Sequence, residues 1–435
     1  MNSKYKTIKY KKNKPSDIED LVSIEEPLEM VVRYKKENEW IDNSISITMR
    51  TPKNDEDLIV GLLFCEGIIQ KISEIEKVES LGDKVGKFDL QNKIRVTLNN
   101  GENLDIKHLR RNFLTNSSCG VCGKTSMDSL EFICKTKINK DVPKIKNSLI
   151  TKIPDLLRQS QSEFSKTGGI HASALFNKEG KPLVIKEDVG RHNALDKVIG
   201  HSLKNSIFDT KNQFIACSGR LSFELVQKIS EIQKVELLGD KVGKFDLQNK
   251  IRVTLNSGEN LDIKHLRRNF LTNSSCGVCG KTSMDSLEII CKTKINKDVP
   301  KIENSLITEI PELLRQSQSE FSKTGGIHAS ALFNKEGKAL IIKEDVGRHN
   351  ALDKVIGHCL KNSIFDTKNQ FIACSGRLSF ELVQKTLMAN IGLLMGVGAP
   401  TSLAIDLAKR FDMTLIGFVK SDSFNIYCGE SRILK

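Results

Sequence analysis

Four short stretches gather the side chains able to do chemistry, and each occurs twice. In the first, Ser117-Ser118-Cys119-Gly120-Val121-Cys122-Gly123-Lys124, two thiols stand three residues apart among glycines; the block returns at Ser274 to Lys281 with Cys276 and Cys279. Arg110, Arg111 and Lys124 lie nearby in sequence, and cations favour the thiolate, the form that attacks and accepts sulfur. Three chemistries fit. A structural zinc site needs four ligands, where one unit offers this pair plus Cys134 or Cys217. A dithiol redox pair suits the spacing but has no thioredoxin-like βαβ context before it. The third is sulfur transfer through a cysteine persulfide.

The second stretch, Lys166 to Ser173 with its copy Lys323 to Ser330, holds Thr-Gly-Gly-Ile-His. Its paired glycines permit close approach of a ligand to the backbone, and His171 reads either as part of a site or as a hydrogen-bonded core histidine. The third, Lys186 to Asn193 with its copy Lys343 to Asn350, sets Arg191 and Arg348 at a strand-to-helix turn. Free backbone N–H groups and a guanidinium suit an anion there, although Arg191 could instead pair with Glu187 or Asp188. The fourth, Ala216 to Ser222 and Ala373 to Ser379, carries Arg220 and Arg377 before a helix and fits phosphate binding or a solvated surface arginine. Cys217 is a small buried residue or a reactive one.

These pairs belong to one event. Residues 72–228 recur at 229–385 with a constant offset of 157 and no gap, and 147 of the 157 positions match. Solenoid repeats are far shorter and diverge, so this is a tandem duplication of one block. Gln70-Lys71, Gln227-Lys228 and Gln384-Lys385 mark its edges, and removing either copy leaves a continuous chain of 278 residues. The expected divisions are an N-terminal flank and lobe at 1–71, core copies at 72–228 and 229–385, and a C-terminal completion of the core at 386–435. The first copy lacks the tail and the second lacks the flank, so at most one complete unit can form.

The duplication also explains the charge. The chain has 435 residues and a net charge of +13, of which the first copy holds +8, the second +5 and the flanks zero. Nucleic-acid binding therefore rests on a doubled excess alone, with a single tryptophan and no recognition motif. None of the eight histidines forms His-Glu-x-x-His. The start has basic residues without an apolar core behind them, and with eleven cysteines this points to a reduced, cytoplasmic protein. Thr386 to Ile405 is uncharged over twenty residues, yet Gly392, Gly396, Gly398 and Pro400 argue against a membrane span and for a buried helix, a turn and an amphipathic helix from Ser402 to Phe411.

The elements that must position the four stretches are legible in outline. The Lys-rich residues 1–20 read as disordered or loosely attached. Glu26 to Arg33, Ile45 to Met49 and Ile94 to Leu98 read as strands, and Leu58 to Phe64 as a helix. Pro182 to Ile185 and Gln213 to Ala216 are short apolar strands that lead through Gly-Arg loops into helical patterns, and Met413 to Val419 is a last core strand. Strands alternating with helices give an α/β class with sites at strand ends.

Taken in order, Glu26-Pro-Leu-Glu, Met49-Arg-Thr-Pro, Glu66-Gly-Ile-Ile, Ser118-Cys-Gly-Val-Cys-Gly, Thr167-Gly-Gly-Ile-His, Glu187-Asp-Val-Gly-Arg-His-Asn-Ala-Leu-Asp-Lys, Ser218-Gly-Arg, Gly398-Ala-Pro-Thr-Ser-Leu-Ala and Phe424-Asn-Ile-Tyr resemble the FdhD family of formate dehydrogenase accessory sulfurtransferases. The resemblance implies a sulfur carrier that takes sulfur from a cysteine desulfurase and passes it to the molybdenum cofactor, a bis(molybdopterin guanine dinucleotide), before insertion into formate dehydrogenase. It implies a persulfide at Cys119 or Cys276, with Cys122 and Cys279 as accessory thiols, and cofactor binding by Phe418, Val419, Lys420, Ser421, Asp422 and Ser423. To these we add Arg191, Arg348, Arg220 and Arg377 as contacts to its phosphates. The implied fold is a cytidine-deaminase-like α/β core with a small β-rich N-terminal lobe, as a homodimer or an intrachain pseudo-dimer. No metal ion of its own is expected, and zinc deamination is disfavoured because Ser173 stands where a zinc deaminase has its proton-shuttling Glu and the Cys pair precedes the His. A zinc-binding structural module and a deaminase-like zinc hydrolase are the rival readings. The second copy, contiguous with the tail, is expected to supply the complete cofactor site.

Overall fold

The computed structural model describes residues 2–99 apart from 13, 38, 67, 70 and 86–89, residues 145–228 apart from 210, 211, 223, 224 and 227, residue 295, and residues 299–434 apart from 365 and 367. The chain opens with a hairpin, β1 (Asn2–Lys11) and β2 (Lys14–Ser23). The lobe follows: β3 (Glu26–Lys36), β4 (Glu39–Arg50), helix α1 (Asp55–Cys65), β5 (Ile75–Val85) and β6 (Leu90–Leu98). The rest of the first copy gives β7 (His171–Asn177), β8 (Pro182–Asp188), α2 (Arg191–Lys204) and β9 (Gln213–Cys217). The second copy gives β10 (Ile302–Glu303), α3 (Asn304–Gln316), β11 (His328–Asn334), β12 (Ala339–Asp345), α4 (Arg348–Lys361) and β13 (Gln370–Cys374). It runs on into α5 (Phe380–Met388), β14 (Leu393–Gly396), α6 (Ser402–Arg410), β15 (Thr414–Gly417), β16 (Ser423–Cys428) and β17 (Ile433–Leu434).

Nearly identical copies enter different sheets. Strands of the second copy, the tail and the N-terminal hairpin build one eight-stranded sheet in the order β12-β11-β13-β14-β15-β16-β1-β2. In it β13, β14 and β15 are parallel neighbours, and the other pairings are antiparallel. The first copy divides: β5 and β6 complete the lobe sheet, β4-β3-β6-β5, while β8-β7-β9 stays a separate sheet. The mixed α/β class is thus as the alternating strands and helices imply.

Two expectations are corrected. Residues 1–20 are not loose: β1 pairs with β16, Ile8 opposite Ile426, and Tyr10 stacks on Phe424 with ring centroids 4.8 Å apart. Tyr5 and Tyr10, five residues apart and so on opposite faces of β1, enter the two core clusters on either side of the sheet, and the strand they belong to finds its partner some four hundred residues away. Thr386 to Ile405 is not a helix, a turn and a helix, because Leu393–Gly396 is the parallel strand β14. A strand buried on both faces carries no alternation, so its apolar run reads equally well as helix.

The lobe docks on the first copy through helix α1. Helix α1 crosses α2 at two glycines: a Cβ on Gly61 would fall 1.9 Å from the Asp196 carbonyl oxygen, and one on Gly200 1.9 Å from that of Asp57. Around this crossing the buried Asp188 carboxylate accepts from Lys197 Nζ at 2.6 Å, the Thr51 N–H at 3.0 Å and the Gly190 N–H at 2.8 Å. The Lys197 ammonium also donates to the Thr51 carbonyl, so the Met49-Arg-Thr-Pro turn is held by an ion pair whose two charges are both out of water.

Candidate functional site

The three parallel strands end together, and their C-terminal ends are where an open α/β sheet places ligands. Strand β13 runs into Ser375-Gly376-Arg377, β14 into Val397-Gly398 and β15 into Phe418. The turns lock to one another: the Gly398 N–H donates to the Gly376 carbonyl and the Phe418 N–H to the Gly398 carbonyl, both at 3.2 Å. Gly398 is needed where it stands, since a Cβ there would lie 2.8 Å from the backbone of Arg377. Phe418 holds a left-handed backbone with φ +52°.

The N-terminal flank supplies a carboxylate to these ends. Glu25 accepts from Thr401 Oγ1 at 2.6 Å and from the Phe380 N–H at 3.2 Å. Burial raises its pKa; those two hydrogen bonds and the charge of Arg348 act against the rise.

Here the two copies meet. Arg377 of the second donates to the Gly169 and Val189 carbonyls of the first, and Arg220 of the first donates to the Gly326 carbonyl of the second at 2.6 Å. The exchange is reciprocal, as across a two-fold axis. Arg191 and Arg348, each at the first position of its helix, face the same region. Their proximity is felt by both loop histidines. Burial, then Arg377, Arg348 and Arg191, drives the His171 pKa well below its usual value. Burial, then Arg220, Arg348, Arg191 and Arg377, brings that of His328 to about 3. Both imidazoles are therefore neutral at pH 7, and the guanidinium groups carry the charge. Arg377 itself is lowered to about 9, first by burial and then by Arg348. Among the described residues, Arg348 Nε and Arg220 Nη2 are buried with no hydrogen-bond partner. Buried donors normally have partners, and donors left open in a cationic cluster suit an anion.

Of the residues singled out from sequence, Arg191, Arg220, Arg348 and Arg377 come together, and Phe418 joins them through the Gly168 loop. Val419 instead packs in the core at 1 % exposure, while Lys420, Ser421 and Asp422 lie exposed in the β15–β16 connection, with Ser423 half-buried beside them. Cys119, Cys122, Cys276 and Cys279 lie outside the described residues, as do Arg110, Arg111 and Lys124. The Glu187 carboxylate accepts from the Glu163 and Phe164 N–H groups. Cys217 and Cys374 read as structural thiols: burial raises both, Cys374 to about 11, and each sits 3.4 Å from a serine hydroxyl, Ser173 or Ser330. Among the described residues no group of three or more His, Cys, Asp or Glu side chains is placed to hold a metal ion. Glu25 and Thr401 escaped the reading from sequence; the one available signal was their position beside Glu26-Pro-Leu-Glu and within Gly398-Ala-Pro-Thr-Ser.

Comparison with known proteins agrees with the repeated motifs. The model of the FdhD/NarQ family matches twice, over residues 24–240 and 229–434. A sulfur carrier protein FdhD from Streptomyces avermitilis is 40% identical over 225 residues, covering 51% of this chain and 80% of that protein. The proteins of the same description from Sulfurisphaera tokodaii and Saccharolobus solfataricus are 38% and 44% identical, over 48% and 42% of this chain and 75% and 68% of theirs. A crystal structure from Desulfotalea psychrophila, provisionally assigned as a formate dehydrogenase accessory protein, aligns over 100% of both chains at 15% identity with a TM-score of 0.30.

Proposed function

The chain belongs to the FdhD/NarQ family, and from that premise we propose that it is a sulfur carrier for formate dehydrogenase, a sulfurtransferase that passes sulfur from a cysteine desulfurase to the molybdenum cofactor. The observation that carries the cofactor half of this reading is the cluster of Arg191, Arg220, Arg348 and Arg377 at the strand ends, with two buried guanidinium nitrogens open. A guanine dinucleotide brings a diphosphate, and arginine forks match its oxygens in geometry as well as charge. The cofactor is cargo here. The chain's own residues bind it, keep water from its phosphates and hold two neutral imidazoles beside them.

The sulfur half rests on Cys119 and Cys276. A thiolate at either position attacks the terminal sulfur of a desulfurase persulfide; that S–S bond breaks, the donor leaves as its thiolate, and a new S–S bond stands on the carrier. Cys122 and Cys279 are accessory thiols. The order second, first, third, fourth and fifth of β11 to β15, with only the first strand antiparallel to the rest, supports a cytidine-deaminase-like core. The reciprocal arginines support an intrachain pseudo-dimer. No helix among the described residues is long and apolar enough to cross a membrane, and the cytoplasm is the compartment this chemistry implies. Mass spectrometry after incubation with a cysteine desulfurase and cysteine should find one added sulfur atom on Cys119 or Cys276. Absence of the adduct from both would refute the mechanism.

A further inference from the structure

The two Thr-Gly-Gly-Ile-His loops share one sequence and have unlike neighbours. In the first copy, a Cβ on Gly168 would come within 2.9 Å of the Phe418 ring, and one on Gly169 within 3.2 Å of Ser23 Oγ and 3.3 Å of Ala399 Cβ. Thr167 Oγ1 accepts from Ser23 Oγ at 2.7 Å. In the second copy, a Cβ on Gly325 would meet nothing within 4 Å among the described residues. The flank and tail thus close over the first loop, and among the described residues nothing comparable covers its twin.

The two halves also draw on one pool of charge. His171 feels Arg377, Arg348 and Arg191, and His328 feels those same three together with Arg220.

We propose that the chain is a one-site protein: the first copy is a built-in partner whose Thr167 to His171 loop forms one wall of a single diphosphate site, completed by Arg348, Arg377 and Phe418, while the matching half at Arg220 and Gly326 takes no second ligand. This deepens the cofactor reading and rests on it.

Calorimetric titration of the full-length chain with GDP, at a molar mass fixed by light scattering, should give one GDP per chain. Two per chain would overturn the one-site inference alone, as would one GDP per two chains. Absence of binding would overturn the cofactor reading and this inference with it. A matched pair of variants tests the wall directly. Gly168→Val and Gly325→Val carry equal backbone strain, since φ is +62° and +66°. The first should weaken GDP binding by about tenfold or more and the second by less than about twofold. Equal losses would show two equivalent halves and end the proposal.

Discussion

The same residues do different work in the two copies. In the first, Lys197 is 1% exposed and shares its buried Asp188 with the lobe, whereas in the second the equivalent Lys354 is 52% exposed and pairs with Asp345 at the surface. Lys228 and Asp196 form an ion pair with both side chains 3% exposed, and their twins Lys385 and Asp353 form it at 26% and 51%. One copy lies under α1; the other is fused into the eight-stranded sheet by the tail. Because sequence is held constant, the contrast isolates what surroundings contribute: burial decides whether a polar pair is a structural joint or a solvated contact.

The largest expected difference lies in that ion pair. Asp188→Ala strands Lys197 in the interior and should cost about 3–5 kcal/mol, whereas Asp345→Ala should cost about 1 kcal/mol or less. Denaturant unfolding of the two full-length variants would measure both, and similar losses would mean that the lobe adds nothing to the joint. The next effect is one in which the copies should agree, because the arginine cluster is common to both. His328 titrates near 6.5 when unfolded and near 3 when folded, so the unfolded chain binds the proton first. Its contribution is complete above pH 6.5 and is lost as pH falls toward 3, by at most about 5 kcal/mol. His328→Gln and His171→Gln should each flatten the acid side of a stability-against-pH curve; a slope unchanged in either would place that imidazole outside the cluster.

A smaller effect reverses sign between the copies. Gly200→Ala drives a Cβ into the Asp57 carbonyl and should destabilise by about 1–3 kcal/mol. Gly357→Ala, at the equivalent position of α4, meets nothing within 4 Å among the described residues and should stabilise by about 0.5–1 kcal/mol through helix propensity. Thermal melts would separate them, and a loss at both positions would indicate that α4 is covered as α2 is.

Local pattern revealed what local forces set. The Gly-Arg turns before α2 and α4, the strands at Pro182 and Gln213 and the helix from Ser402 all follow from apolar periodicity and turn residues. What remained hidden depends on distant partners: β1 finds β16 across nearly the whole chain, and β14 is a strand only because β13 and β15 flank it. At the site, the four arginines were legible as anion candidates one by one, but their meeting was not, since Arg377 reaches Gly169 and Arg220 reaches Gly326 through a pseudo-two-fold that no single copy contains. Glu25 was invisible for the same reason, because its partners Phe380 and Thr401 lie at the other end of the chain.

The central claim is that the copies divide the labour, the second joining the tail to form the working core and the first serving as its partner. Formate dehydrogenase activity in cells that depend on this chain, carrying Cys276→Ala or Cys119→Ala, tests it most directly. Loss of activity with Cys276→Ala and its retention with Cys119→Ala is the predicted result, whereas the reverse, or equal loss with both, would contradict the assignment.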